Sequence, residues 1–386
     1  MITTLAVHGY RSLREVVLNL GPVTVITGAN GTGKSNLYRA FQLLADTASG
    51  RLIGSLAAAG GLSSVLWAGP EQITGAMKRG EQPVQGTGRR KAPISLQLAF
   101  ASESLGYLVD LGLPVPSQTM FSRDPVIKRE LIWAGPVLRP AVTLVERTAR
   151  GVRVADGKGR ADLGVDLGGW SSLLDELVDP LTHPDIAAVR DQVRSWRFYD
   201  GFRVDPDAPA RLPQVGTRTE VLAGDGHDLA SAIATILESA WAAPLQAAVA
   251  DAFDGSRLSV TDHGGRFEVA LRQPGLLRPL TAREVSDGTL RYLLLAAALF
   301  SPRPPGLMVL NEPETSLHAD VLPALARLIL AAAERTQVVV VSHSPVLVDA
   351  LAQAGAVHHE LIKPHGETEV DGQGLLPRPT WHWGSR

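Results

Sequence analysis

The hydrophobic pattern changes period several times along the chain. Residues 2–7 (ITTLAV) and 15–20 (EVVLNL) are short β-branched runs that read as strands around a Gly9-Tyr10-Arg11-Ser12 turn. Val23 to Thr27 is a third such run, and Gly28 opens a glycine-rich loop. Past Ser35 the period lengthens: Leu37, Phe41 and Leu44 fall at i, i+4 and i+7, the apolar stripe of a helix. Residues 69–92 lose the pattern to Gly, Gln and Pro and read as a surface excursion. From 94 to about 160 short strands dominate (ISLQLAF, GYLVDL, VTLVERTA, VRVAD), and 170–195 read as helical. An irregular stretch over 200–225 leads to a helix from about Asp228 and a hairpin of LSVTD and RFEVAL around His263-Gly264-Gly265. From 286 onward the expected order is helix, buried strand (Leu307–Leu310), helix (about 321–335) and buried strand (Val338–Val341).

Composition narrows this picture. The 386 residues exceed one ordinary domain, and 45% hydrophobic with 20% charged residues describe a globular chain. Lys and Arg number 37 against 39 Asp and Glu, so no global charge draws the protein to nucleic acid or membrane. Cysteine is absent, which removes disulfides, thiolate metal sites and cysteine nucleophiles together. Arg11, Arg14 and Glu15 interrupt the N-terminus, and the apolar stretch Leu293–Phe300 is far below the ~18 residues of a membrane helix. A cytoplasmic protein with no membrane partner is expected. The pattern divides it into an N-terminal lobe (1–93), a β-rich and helical inserted middle (94–275) and a C-terminal lobe (276–386).

Four segments carry chemistry. Residues 28–35, Gly-Ala-Asn-Gly-Thr-Gly-Lys-Ser, fit G-x-x-x-x-G-K-[ST] between a strand and a helix. In such a loop the glycines let successive N–H groups face phosphate oxygens, the lysine reaches the β- and γ-phosphates, and the serine hydroxyl holds Mg2+. Leu307–Leu310 ends in Asn311-Glu312-Pro313, where Glu312 is the natural water-positioning base. Taken alone, that tripeptide also reads as a strand-ending turn. Val338–Val341 ends in Ser342-His343, and a histidine at such an edge can sense a γ-phosphate, though alone it reads more often as structural. Finally Val285-Ser286-Asp287-Gly288-Thr289 opens an apolar helix, with Ser286 as its cap and a second anion site at its N-terminus.

Together these segments resemble the Walker A, signature, Walker B and switch-histidine motifs of ABC-type P-loop ATPases, in the order that superfamily requires. VSDGT and NEPETSLH are similar to the SMC and RecF-like branch, as in overcoming-lysogenization-defect-like proteins without a TOPRIM domain; the opening VHGYRSL is similar too. The resemblance covers roughly residues 1–45 and 280–345. It implies a two-lobed α/β head, with a mixed N-terminal sheet, a C-terminal parallel sheet with flanking helices, and no long coiled coil. It further implies that ATP and Mg2+ are held by Asn30, Gly31, Thr32, Gly33, Lys34, Ser35 and Asn36, with Arg11 near the nucleotide. Ser286 and Gly288 would touch the γ-phosphate bound by the other protomer of a homodimer. Glu312 would activate water, His343 would report on the γ-phosphate, and Ser316, Leu317 and His318 would form the loop against the partner. Gln97 is the nearest candidate for the family's metal-contacting glutamine.

One departure matters. The aspartate that usually ends the Walker B strand is Asn311 here. An amide accepts a hydrogen bond from metal-bound water without offsetting the ion's charge, so Mg2+ retention is expected to weaken and turnover to slow. Restoring Asp at 311 is then expected to lower the Mg2+ requirement. Three uses of ATP stay open: clamping double-stranded DNA in repair or anti-phage defence, gating a separate nuclease or toxin, or sensing ATP without hydrolysis. Basic residues at 78–91 (Lys78, Arg79, Arg89, Arg90, Lys91) and 147–160 favour the first, and Glu314 reads either as compensation for the carboxylate missing at Asn311 or as a plain surface acid.

Overall fold

A computed structural model describes residues 1–70, 74–79, 81–82, 95–115, 118, 120–157, 159–373 and 381–384. The chain divides into two compact units: Met1–Gly21, Gly28–Ser195 and His359–Arg386 form the first, and Pro22–Thr27 with Trp196–His358 the second. This division differs from the three-part reading by sequence. Strand Leu96–Ser102 pairs antiparallel with Ile2–Tyr10, so residues past 94 extend the N-terminal sheet rather than forming a separate insertion.

In the first unit eight antiparallel strands run from Leu13–Asn19 through Ile2–Tyr10 and Leu96–Ser102 out to Arg160–Asp162. Strand Val126–Ala134 lies among them and is not marked by the sequence pattern, because it is buried on both faces and lacks alternation. The helix Lys34–Thr47 packs on this sheet through Leu37, Phe41 and Leu44, the stripe that its spacing announces. On the sheet Trp133, Leu108 and Leu131 cluster with the returning Trp381 and Trp383.

The second unit is built on four parallel strands in the order Arg197–Asp200, Leu307–Asn311, Gln337–Val341 and Val23–Gly28, the last of them contributing all but its final glycine to this unit. The P-loop strand thus joins the strands of the last third of the sequence. Met308, Leu310, Val338 and Val340 are buried on one face and Leu307, Val309, Val339 and Val341 on the other, as a parallel sheet covered by helices requires. Asp287–Leu299, Leu322–Ala333 and Pro345–Gln353 supply such helices, and a small antiparallel sheet carries the LSVTD and RFEVAL hairpin. The longest helix among the described residues has 14 residues, far short of a coiled coil. No single helix among them is long and apolar enough to cross a membrane. The chain is therefore an α/β protein of several sheets with flanking helices.

Candidate nucleotide site

In the first unit Gly28, Gly31 and Gly33 all have positive φ, of 146°, 83° and 114°. Gly33 is the tightest of them. A Cβ there would lie 2.3 Å from Thr368 Oγ1 and 3.0 Å from Ser12 Oγ. Gly33 also caps the following helix in the left-handed region, with no side-chain hydrogen bond and no acid in the first turn. The first N–H groups of the helix are left for an anion, at its positive end. Lys34 is 6% exposed, and its Nζ donates to the carbonyls of Gly28 at 2.5 Å and Ala29 at 3.1 Å. Asn30, Gly31 and Ser35 are exposed, while Thr32 is tied back to the Ala29 carbonyl at 2.9 Å.

The β-turn before the loop contributes as well. Arg11 takes φ 47° and donates to Asn36 Oδ1 at 3.4 Å; Asn36 in turn donates to Ser12 Oγ at 2.9 Å. Thr368 completes the arrangement: its hydroxyl donates to the Thr32 carbonyl at 2.6 Å and lies 2.7 Å from the Ser12 hydroxyl. No motif flags Thr368, because a single threonine in a tail carries no periodicity. Gln97, by contrast, is buried on the sheet and donates to Asp110 at 2.8 Å. Its amide is engaged in the sheet, away from the role expected of it.

In the second unit Asp200, Asn311, Val341 and Ile26 stand in register at the carboxyl ends of the four parallel strands. This edge is where open α/β sheets bind ligands. Glu312 leaves its strand at φ 46°, a left-handed conformation that costs a non-glycine residue about 1 kcal/mol. Two bonds hold it there: its N–H donates to the Val341 carbonyl at 2.8 Å, and its own carbonyl accepts from Arg291 at 3.1 Å. The side chain stays about 43% exposed. His343, 57% exposed, places Nδ1 3.7 Å from Glu312 and 3.3 Å from Glu314.

Glu314 is no surface acid. It is 7% exposed, and its Oε1 accepts from the Ser342 hydroxyl at 2.7 Å and the backbone N–H of His343 at 2.9 Å and Ser344 at 3.2 Å. It therefore fixes the backbone that presents His343. Charge balance comes from Arg291, 4% exposed on an otherwise apolar helix. Burial lowers its pKa, and the carboxylates of Glu314, Asp200 and Glu312 oppose that shift. Replacing Arg291 by Met is expected to cost about 3 kcal/mol in urea unfolding, since it strands buried acid beside a relaxed Glu312 loop. An unchanged unfolding midpoint would remove Arg291 from this account.

Ser286 caps its helix by accepting from Thr289 N–H at 3.2 Å, and it is exposed. A Cβ on Gly288 would meet the Ser316 carbonyl at 2.7 Å, so only glycine lets the 316–318 loop approach this turn. Arg211, 4% exposed, braces the turn from inside, donating to the Ala282 and Val285 carbonyls at 2.8 Å each and to Asp287 at 2.6 Å. Nothing in the irregular 200–225 stretch announces that role.

A family model described as "AAA domain, putative AbiEii toxin, Type IV TA system" matches residues 23–167 and 171–349. No curated protein matches the chain. Among solved structures, an SMC head domain from Thermotoga maritima matches at 15% identity, covering 96% of this chain and 97% of that one with a TM-score of 0.47. The SMC head bound to the C-winged helix domain of ScpA matches at 15% identity, covering 97% and 98%, with a TM-score of 0.51. An SMC head domain with an extended coiled coil, bound to the C-terminal domain of ScpA derived from Pyrococcus furiosus, gives 13% identity, 96% and 95%, and 0.49. The ScpA-bound head at 0.51 supports a shared fold. The family match takes in the P-loop, the VSDGT turn, the Asn311-Glu312 edge and His343 together, and the chain belongs to this AAA-domain family, with a fold that it shares with an SMC head.

Proposed function

We propose that the chain binds ATP with Mg2+ and hydrolyses it within a dimer of two copies of itself that closes on the nucleotide. The observation that carries this reading is the P-loop itself. A glycine-capped helix end without acid or side-chain cap adjoins a lysine resting on the loop's own carbonyls, Gly28 and Ala29. Phosphate oxygens are better partners for that ammonium than backbone carbonyls, and arriving ATP would displace it from them. Asn30, Gly31, Thr32, Gly33, Lys34, Ser35 and Asn36 would hold the phosphates, with Arg11 beside them through Asn36.

Ser35 in the first unit offers a hydroxyl oxygen and Asn311 in the second an amide oxygen, each a hard donor of the type that Mg2+ takes. When bound, Mg2+ supplies positive charge against the phosphate oxygens. Glu312 would take the proton of the attacking water, held in place by its strained, doubly anchored backbone. His343 would follow the γ-phosphate from a backbone fixed by Glu314. Ser286 and Gly288 would complete the site of the other protomer. Gln97 is left out of this reading because its amide serves Asp110.

Mixing two inactive variants tests the composite site. Lys34→Ala and Ser286→Arg homodimers each carry a lesion in both sites, whereas the heterodimer has one doubly damaged site and one intact. Statistical pairing then returns about a quarter of wild-type turnover on mixing. No recovery from soluble, dimerising variants at any ratio would rule out action of Ser286 across the dimer.

The output is directed to DNA in one reading and to a partner protein in the other. Support for DNA is narrower than the sequence suggests. Arg147 is buried against Glu130 at 2.6 Å, Arg160 pairs with Glu146 and Arg79 with Glu81. Arg89, Arg90, Lys91 and Lys158 lie outside the described residues, as does the side chain of Lys78. A cleft of about 780 Å³ whose lining includes Lys128, Arg150 and Arg153, beside Glu146 and the apolar Leu113–Val115, is what favours it. The partner-protein reading draws only on the words "Type IV TA system" in the family description, which names the family itself as the toxin. DNA affinity that falls steeply with salt would decide for the first, because phosphate contacts release counterions.

A further inference from the structure

We propose that Asp200 supplies the carboxylate that Asn311 lacks. The proposal rests on the ATPase reading above and adds a residue to its metal side. Strand Arg197–Asp200 runs parallel to Leu307–Asn311, and the register sets Asp200 directly opposite Asn311 at the carboxyl edge of the sheet. Asn311 Nδ2 lies 2.9 Å from Asp200 Oδ1. A carboxylate only accepts, so the amide nitrogen must face it, and the Asn311 carbonyl oxygen is left for another partner. Charge and amide have in effect changed places with respect to the usual pattern: the negative group sits one strand over, and the neutral one ends the strand before Glu312.

The pairing also explains why the end of this strand is not an aspartate. Two carboxylates at 2.9 Å would repel, and one would have to take up a proton or a cation to stay there. The carboxylates of Glu314, Asp200 and Glu312 already act together on Arg291, and a fourth acid would add to their mutual repulsion. An amide at 311 keeps the edge at three acids, and its N–H2 orients the carboxylate that remains. Asp200 is exposed, so its second oxygen is within reach of a hydrated cation.

The test titrates Mg2+ while following binding of the slowly hydrolysed analogue AMP-PNP to the full chain by calorimetry. Wild type is expected to bind with a defined Mg2+ midpoint. Asp200→Asn is expected to raise that midpoint about tenfold to a hundredfold while leaving metal-free AMP-PNP affinity unchanged. Asp200→Asn with Asn311→Asp, which moves the carboxylate back to the Walker B strand, is expected to return it to within about threefold of wild type. A pair that is only structural would lower the melting temperature alike in Asp200→Asn and Asn311→Ala and leave the midpoint unmoved. That result, with wild type binding normally, would overturn the proposal and spare the ATPase reading. Failure of wild type to bind AMP-PNP at any Mg2+ concentration would overturn both.

Discussion

Lys34→Ala is expected to lower ATP affinity by about a hundredfold or more, the loss of two charge-assisted contacts of about 1.5 kcal/mol each. The protein is expected to stay folded. Lys34 is buried along its stem, yet its ammonium binds only the Gly28 and Ala29 carbonyls, at the half-buried and exposed start of the loop. Water can replace it there. Far-ultraviolet circular dichroism should match wild type while calorimetry with ATP shows little or no heat. Tight ATP binding by this variant would remove the central claim, because no other cation on the P-loop could take the lysine's place.

Glu312→Gln is expected to lower turnover by about a hundredfold or more while ATP still binds. The amide is isosteric and leaves both backbone anchors in place, the bond to the Val341 carbonyl and the one from Arg291, so the strained geometry persists. Only the proton acceptor is gone. With hydrolysis blocked, saturating Mg-ATP should hold the chain as a dimer in light scattering. If wild type dimerises under these conditions and Glu312→Gln stays monomeric, Glu312 is not the base. Turnover near wild type would point to Glu314 or His343 instead, the two titratable groups beside it.

Much of the element order is legible in the periodicity of the chain. The strands at 2–7, 15–20 and 23–27, the helix after Ser35, and the alternation of helix and buried strand from 286 all lie where the apolar spacing puts them. Short strands of the first sheet are legible wherever one face alternates. Val126–Ala134 is not, since burial on both faces erases the signal, and Arg197–Asp200 is only four residues long. The tail after 355 returns as strand Val357–Ile362 and as Thr368 against the P-loop, which no local pattern implies.

The candidate nucleotide site is legible in the amino-acid order alone. Phosphate binding depends on a contiguous stretch of backbone, eight residues from Gly28 to Ser35, and contiguity is what a sequence displays. Glu312 and His343 are marked in the same way at the end of an apolar strand, and Ser286 at the start of an apolar helix. How those groups are held and charged is set by packing. Glu314 is a buried strut, Arg291 the counter-charge, Gln97 a partner of Asp110, and Asp200 the neighbour of Asn311 across 111 residues. The physical reason is the parallel sheet. Its adjacent strands are joined by long crossovers, so side chains that meet at one edge come from distant parts of the chain. No spacing rule in the sequence records which of them will be neighbours.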